Sequence, residues 1–342
     1  MSFIKNRKAG LVIYNLAFLF LFLCIAEIIL RIAGIGYDNA AFEPDQVLHH
    51  VHRKNYSFIN DNPSEKEYSH IKVFYDEWGC VSDPSNKEQK LSERNRIALI
   101  GDSYIEGLQV PFDSSVTGLL QKNNRNKFEI KNFAVGGYSP VIYYLQLQKV
   151  ITSYHPQKII LFLYGNDVRE DKEYLNKATY NENKLTGIDG GMQPARYAII
   201  RNSYLIRLVR KFYMQAVFYF RNESAEYIVK NTIEEKPVLT SPTTFYLDSI
   251  INLCSRNNCS LYLSAVPSKY KIVHGLAHDS TDFAVQCKQW TGLRNIPFID
   301  LLPLFKKWFA DTKQSPYFEK DIHFNVHGHS LVANAIEKVI NE

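Results

Sequence analysis

The stretch Arg96-Ile97-Ala98-Leu99-Ile100-Gly101-Asp102-Ser103 decides the fold. Its apolar run is too short for a helix and too continuous for a strand with one wet face. It therefore reads as a strand buried on both sides. Similar runs recur at 129–137 (EIKNFAVGG), 158–167 (KIILFLYGND), 260–268 (SLYLSAVPS) and 296–303 (IPFIDLLP), each ending in Gly, Asp, Ser or Pro. Helix-length segments separate the first three, among them 139–154 with Val141, Tyr144, Leu145 and Val150 apolar. Short buried strands alternating with helices predict an α/β fold, a three-layer α/β/α sandwich around a mostly parallel sheet. Ligand chemistry in such a sheet gathers at the carboxyl ends of the strands.

Working outward, the N-terminal segment is of another kind. No charged residue occurs from Ala9 to Ala26, and the apolar run continues to Gly36 with only Glu27 and Arg31 interrupting it. About 20 residues cross a bilayer core, so this segment predicts one transmembrane helix. The run exceeds a signal-peptide core and lacks a small-x-small cleavage site, which favours an uncleaved anchor. Lys5, Arg7 and Lys8 precede it, so the expected orientation is N-terminus cytoplasmic and the bulk of the chain extracytoplasmic, on the cytoplasmic membrane. Cys24 follows Leu21, Phe22 and Leu23, a poor context for a lipoprotein site.

The chain has 342 residues, 46% hydrophobic and 22% charged, as expected of a packed globular protein. Of its net charge of +5, Lys5, Arg7, Lys8 and Arg31 against Glu27 put +3 in the first 37 residues. The remainder is too nearly neutral to suggest a nucleic-acid partner. The expected organisation is an anchor at 1–37, a juxtamembrane stalk at 38–95 and a catalytic domain at 96–342. The stalk carries His49, His50 and His52, which read as solvated surface. Between 169 and 243 the alternation stops, and about 75 residues are too many for a loop. An inserted subdomain is expected there, with an aromatic and basic helix at 204–222. Cys254 and Cys259, four polar residues apart, are expected to pair in an oxidising compartment. No CxxC pair occurs, so a zinc ribbon has no support.

Polar residues sit where the strands end. Gly101-Asp102-Ser103 leaves a hydroxyl at the top of the sheet, at the start of a helix with outward N–H groups. Asn132 to Ser139 contains Gly136 and Gly137, whose backbone can approach a ligand unobstructed. Gly165-Asn166-Asp167 offers a side-chain amide at the same edge. Asp321-Ile322-His323 precedes a final helix at 326–340 and supplies a base with an orienting carboxylate. A metal site built from Asp321, His323, His327 and His329 would lack partners elsewhere, so neither metal nor cofactor is expected. His327 and His329 suit capping and packing at the helix start.

In order and placement these blocks resemble the SGNH (GDSL-type) hydrolase family across roughly 96–340, the insertion apart. The resemblance implies Ser103 as nucleophile, His323 as base and Asp321 as its orienting acid. It implies an oxyanion hole of Ser103, Gly137 and Asn166. Two details depart from the family pattern: the last block is Asp-x-His where many members have Asp-x-x-His, and Gly165 directly precedes Asn166. Membrane-tethered members often modify O-acyl groups on envelope polysaccharides. The expected function is therefore a membrane-anchored serine esterase or deacetylase on an O-acylated glycan or similar ester. An O-acetyltransferase working beside a multi-spanning acyl-donor protein, and a non-catalytic glycan-binding module, are the alternatives.

Overall fold

The computed structural model describes residues 2–33, 35, 42–60, 67, 68, 70–85, 96–191, 199, 202–221, 237–277, 279–319 and 321–341. They fall into two compact units, Met1–Asn39 with Met192–Asn222, and Ala40–Gly191 with Glu223–Glu342. Part of the expected stalk (86–95) and part of the insertion (192–198, 222–236) lie outside the described residues.

The smaller unit holds helix α1 (Ser2–Ala33) and helix α6 (Tyr204–Arg221), which pack together. Within α1, Gly10–Ala33 is apolar, unburied and long enough to cross a membrane.

The larger unit begins with short strands. β1 (Phe42–Asp45) and β2 (His49–His52) form an antiparallel pair, and β3 (Tyr56–Asn60), β4 (Ile71–Tyr75) and β5 (Val81–Ser82) an antiparallel sheet. The latter encloses Phe58, Val73, Tyr75, Val81 and Leu108. The sheet foreseen from the sequence follows: β6 (Arg96–Ile100), β7 (Glu129–Asn132), β8 (Lys158–Leu163), β11 (Ser260–Ala265) and β12 (Phe298–Ile299). All its pairings are parallel, in the order β12-β11-β8-β6-β7. Strand order reverses at β6, because the next strand, β7, lies on one side of it and the one after, β8, on the other. Ligands bind at such a switch point in open α/β sheets. The loops after β6 and β8 carry Ser103 and Asn166.

Alternation along the strands fills both faces. Ala98, Ile100, Ile159, Leu161 and Leu163 pack into one core, with α4 (Pro140–Tyr154), α7 (Thr243–Arg256) and α9 (Phe283–Gly292). Ile97, Leu99, Ile160 and Phe162 pack into the other, with α3 (Val116–Asn124), α10 (Leu302–Thr312) and α11 (Val326–Ile340). This period of two on strands apolar throughout is what a sheet covered on both faces requires. The insertion begins with α5 (Asp167–Leu175) and the hairpin β9 (Ala178–Asn181) and β10 (Lys184–Ile188), all in the larger unit.

The expected disulfide does not form: Cys24, Cys80, Cys254, Cys259 and Cys287 are all free. Cys259 Sγ instead donates to the Pro156 carbonyl at 3.1 Å. Burial pushes the Cys254 thiol up to about 12.

Gly328, in the first turn of α11, marks the tightest packing near the C-terminal block. A Cβ there would stand 2.2 Å from the Pro316 carbonyl oxygen and 2.9 Å from Phe324 Cβ. Gly328→Ala must displace the backbone that leads into Asp321 and His323. We expect it to cost about 1–3 kcal/mol in chemical denaturation; an unchanged midpoint would show that this contact yields freely.

Candidate active site

Ser103 opens a one-turn helix, α2 (Ser103–Glu106). Asp102 is its N-cap, accepting from Tyr104 N–H at 3.0 Å, and Gly107 closes it in the left-handed region at φ +72°. Asp102 thus ties the turn, as expected from the sequence. His323 reaches the same place from the segment before α11: its Nε2 lies 2.8 Å from Ser103 Oγ. Its Nδ1 lies 2.5 Å from Asp321 Oδ1, which also accepts the His323 backbone N–H at 2.9 Å. The Asp-x-His spacing therefore lets one carboxylate oxygen grip both the ring and the backbone of the residue two positions on. The other oxygen accepts the Tyr68 hydroxyl at 3.1 Å.

Electrostatics follow from this geometry. Burial alone would raise Asp321, but the His323 hydrogen bond and charge, with the Tyr68 bond, lower it to about 2. Desolvation works to lower His323, and the Asp321 bond and charge outweigh it, with Asp102 and Glu106 adding to them. The net direction for the imidazole is up from its ordinary 6.5.

Gly136 and Gly137 stand beside the serine. A Cβ on Gly136 would meet Glu106 Oε2 at 2.9 Å and Ser103 Cβ at 3.4 Å, so a side chain there must displace the Glu106 carboxyl group. Gly137 has φ +78°. Both carbonyls are tied back: Gly136 O accepts from His50 Nε2 at 2.9 Å, and Gly137 O from the Tyr174 hydroxyl at 2.5 Å. In a trans peptide the N–H points opposite the preceding carbonyl. The bond from His50 therefore aims the Gly137 N–H.

The histidines of β2 are thus not the solvated surface that the sequence suggested. Lys177 Nζ lies 3.2 Å from His49 Nε2, and His49 Nδ1 lies 2.9 Å from His50 Nδ1. Burial lowers His50 and takes His49 down to about 4, so both rings are neutral at pH 7. One tautomer series then satisfies every bond. Lys177 donates to His49 Nε2, His49 Nδ1–H to His50 Nδ1, and His50 Nε2–H to the Gly136 carbonyl. His52 is buried, with Nδ1 2.7 Å from Gly79 O and Nε2 2.5 Å from Glu106 Oε1.

Asn166 lies at the end of β8, and its Nδ2 donates to Glu170 Oε1 at 2.8 Å. One of its two N–H groups is thereby committed to a residue that the sequence reading did not single out, and the other remains. Burial, reinforced by Asp102, pushes Glu170 up to about 8 against the Asn166 bond, so its carboxyl is neutral at pH 7. Asp167 caps back onto Tyr164 N–H at 3.0 Å, and burial with Asp102, Glu170 and Asp171 raises it well above the carboxylate range. His329 is enclosed, accepts from Val116 N–H at 3.3 Å and is lowered to about 3 by burial. His327 lies against Trp308. Neither of the two contacts Ser103, in keeping with the packing roles expected. No cluster of three or more metal-ligating side chains occurs among the described residues.

The edge thus brings Ser103, His323 and Asp321 into one hydrogen-bonded line, with the 136–137 turn against the serine and Asn166 in the loop after the adjacent strand β8. The chain resembles the SGNH (GDSL-type) hydrolases. No protein-family model and no curated protein matches the sequence. Among solved structures it is similar to a catalytic mutant of an acetylxylan esterase from Geobacillus stearothermophilus (14% identity, TM-score 0.43, 74% of this chain and 97% of that one). A lipolytic G-D-S-L family member from Veillonella parvula DSM 2008 is similar at 15% identity and TM-score 0.41, covering 72% and 98%. The psychrotrophic esterase EstA from Pseudoalteromonas sp. is similar at 14% identity and TM-score 0.40, covering 72% and 100%.

The buried His52–Glu106 contact carries its own test. Removing one member leaves the other's polar group unpaired in the core, which typically costs about 3–5 kcal/mol. His52→Ala is expected to lose that much in urea unfolding, whereas a loss below about 1 kcal/mol would mean that water replaces the ring.

Proposed function

We propose that this protein is a membrane-anchored serine esterase acting on O-acyl groups of an envelope glycan or a similar ester. The observation that carries the chemistry is His323 bonded to Ser103 Oγ through one ring nitrogen and to Asp321 through the other. A serine hydroxyl is a weak nucleophile unless a base takes its proton. As Ser103 Oγ attacks the ester carbonyl carbon, its proton passes to His323 Nε2. Asp321 holds the ring in place and stabilises the imidazolium that forms.

The carbonyl oxygen becomes an oxyanion, which we assign to the N–H groups of Ser103 and Gly137 and the free N–H of the Asn166 amide. On collapse the carbon–oxygen bond to the alcohol breaks, and His323 returns its proton to the departing oxygen. Water, or a sugar hydroxyl, then attacks the acyl-serine by the same route and frees Ser103. A neutral Glu170 suits the site, because a second negative charge beside the oxyanion would oppose its formation. The apolar, unburied helix ahead of the domain supports the anchored reading, and the resemblance supports the glycan ester as substrate class.

Ester hydrolysis by single variants tests the assignment. Ser103→Ala and His323→Ala are expected to abolish acyl-enzyme formation, and Asp321→Ala to leave a small residual rate. Asn166→Ala is expected to lower turnover by about 10²-fold with binding spared, since its donor acts on charge that develops in the transition state. A folded Ser103→Ala protein with undiminished activity would overturn the reading.

The pH profile gives a second test. Only unprotonated His323 accepts the serine proton, so activity is present above its raised pKa and falls as pH drops through it. The acid limb of kcat/KM should lie above 6.5. Asp321→Asn removes the charge that raises the ring and should move the limb of the residual activity to lower pH. A limb that stays in place would separate it from His323.

A further inference from the structure

From Gly10 to Ala33, helix α1 carries no charged residue except Glu27 and Arg31 near its C-terminal end, and both make specific contacts. Arg31 Nε donates to Glu27 Oε1 at 2.8 Å. Glu27 also accepts from Ser203 Oγ at 2.9 Å, Tyr204 N–H at 3.0 Å and Leu205 N–H at 2.9 Å. The last two are the first backbone donors of α6, so a carboxylate in the candidate span caps a helix that starts 177 positions further along the chain. Arg31 also donates to the Asn202 carbonyl and lies over the Tyr204 ring at 5.4 Å. A charged group in an apolar helix is costly unless partnered. Here the partner is the positive end of α6, which favours a carboxylate.

The body of α6 is two-faced. Ile206, Val209, Tyr213 and Ala216 follow the helical repeat on one side, and Val209, Phe212 and Tyr213 are 60%, 61% and 65% exposed. Arg207 and Arg210 lie three apart on the other side. From Tyr204 to Arg221 the sequence has four basic residues and no acidic one. Large exposed apolar side chains beside an arc whose charges are all basic match a helix lying in a bilayer interface, apolar side in the acyl boundary and cations at the headgroups. Depth agrees: Gly10–Ala33 has 24 residues, and Glu27 stands about 9 Å before its end. That places the cap near the edge of a core of about 30 Å.

We propose that α6 is an interfacial membrane helix, held at its N-terminus by Glu27 of the anchor and bound along its length to anionic lipid. This rests on the anchored reading above. It makes α1 a permanent part of the folded unit, since cleavage would remove the α6 cap.

The test uses the full chain carrying Cys24→Ser, reconstituted in phosphatidylcholine–phosphatidylglycerol vesicles, with single nitroxide-labelled cysteines at Leu19, Val209, Phe212 and Arg210. Collision with oxygen reports lipid, and collision with a nickel chelate reports water. Leu19, Val209 and Phe212 are expected to favour oxygen, and Arg210 nickel. Leu19 in lipid with Val209 and Phe212 open to nickel would overturn the α6 proposal and leave the anchor standing. Val209 and Phe212 shielded from both reagents would assign the face to a protein partner and also overturn it. A Leu19 label in water, or a mature chain starting after residue 34, would remove the anchor and the proposal together.

Discussion

His323 is 17% exposed at its side chain, and each ring nitrogen has one partner, Ser103 Oγ or Asp321. Much of the surrounding structure serves that pair of bonds. One end is fixed by the Asp102 cap that starts α2 on the central strand β6. The other is fixed by the segment 315–325, where Asn325 donates to the Ser315 and Tyr317 carbonyls and the Tyr317 hydroxyl reaches Pro267 O. Asn325 Oδ1 then caps α11 through the His327 and Gly328 N–H groups. The same asparagine therefore starts the last helix and shapes the turn that presents the base.

The acids along this edge form a second constraint. Asp102, Asp167, Glu170 and Asp171 are all pushed upward, burial being the first cause in each case. Asp171 spends its oxygens on structure, accepting Ser139 Oγ, Val141 N–H and Thr243 Oγ1 and so joining α4, α5 and the start of α7. Were all four ionised, the edge would repel any further negative charge. Burial keeps Glu170 neutral at pH 7 and pushes Asp167 well above the carboxylate range, while Asp102 and Glu106 favour the charged form of His323. Low dielectric thus does two opposite things within one edge, silencing some carboxyls and strengthening the grip of another on its histidine.

What the sequence disclosed follows the range of each interaction. The strands were legible because a sheet covered on both faces demands continuous apolar runs, and each run is local. The blocks carrying Ser103, Gly137, Asn166, Asp321 and His323 stood out because each is short and lies at a strand end or helix start, and the structure bonds Ser103, His323 and Asp321 into one line. His50, Tyr174, Glu170 and Tyr68 were not singled out. His50 meets Gly136 from 86 positions away, Tyr174 meets Gly137 from 37, and Tyr68 meets Asp321 from 253. Glu170 is only four residues from Asn166, but nothing in a surface-looking run, Asp167-Val168-Arg169-Glu170-Asp171, says which carboxyl turns inward. The polar turn between Cys254 and Cys259 suggested a pair, yet Cys259 faces a carbonyl across the chain instead.

The same limit of range explains Glu27. Read along the chain it is a flaw in an apolar helix, an ion where hydrocarbon is expected. Read in three dimensions it replaces the missing partners of the Tyr204 and Leu205 N–H groups, which no residue within α6 can supply. The cost of the carboxylate and the cost of the uncapped helix end cancel only when both helices are present together. Neither α1 nor α6 is therefore a self-sufficient element at that point, and what looked like an insertion into one unit is half of the hydrogen-bonding complement of the other.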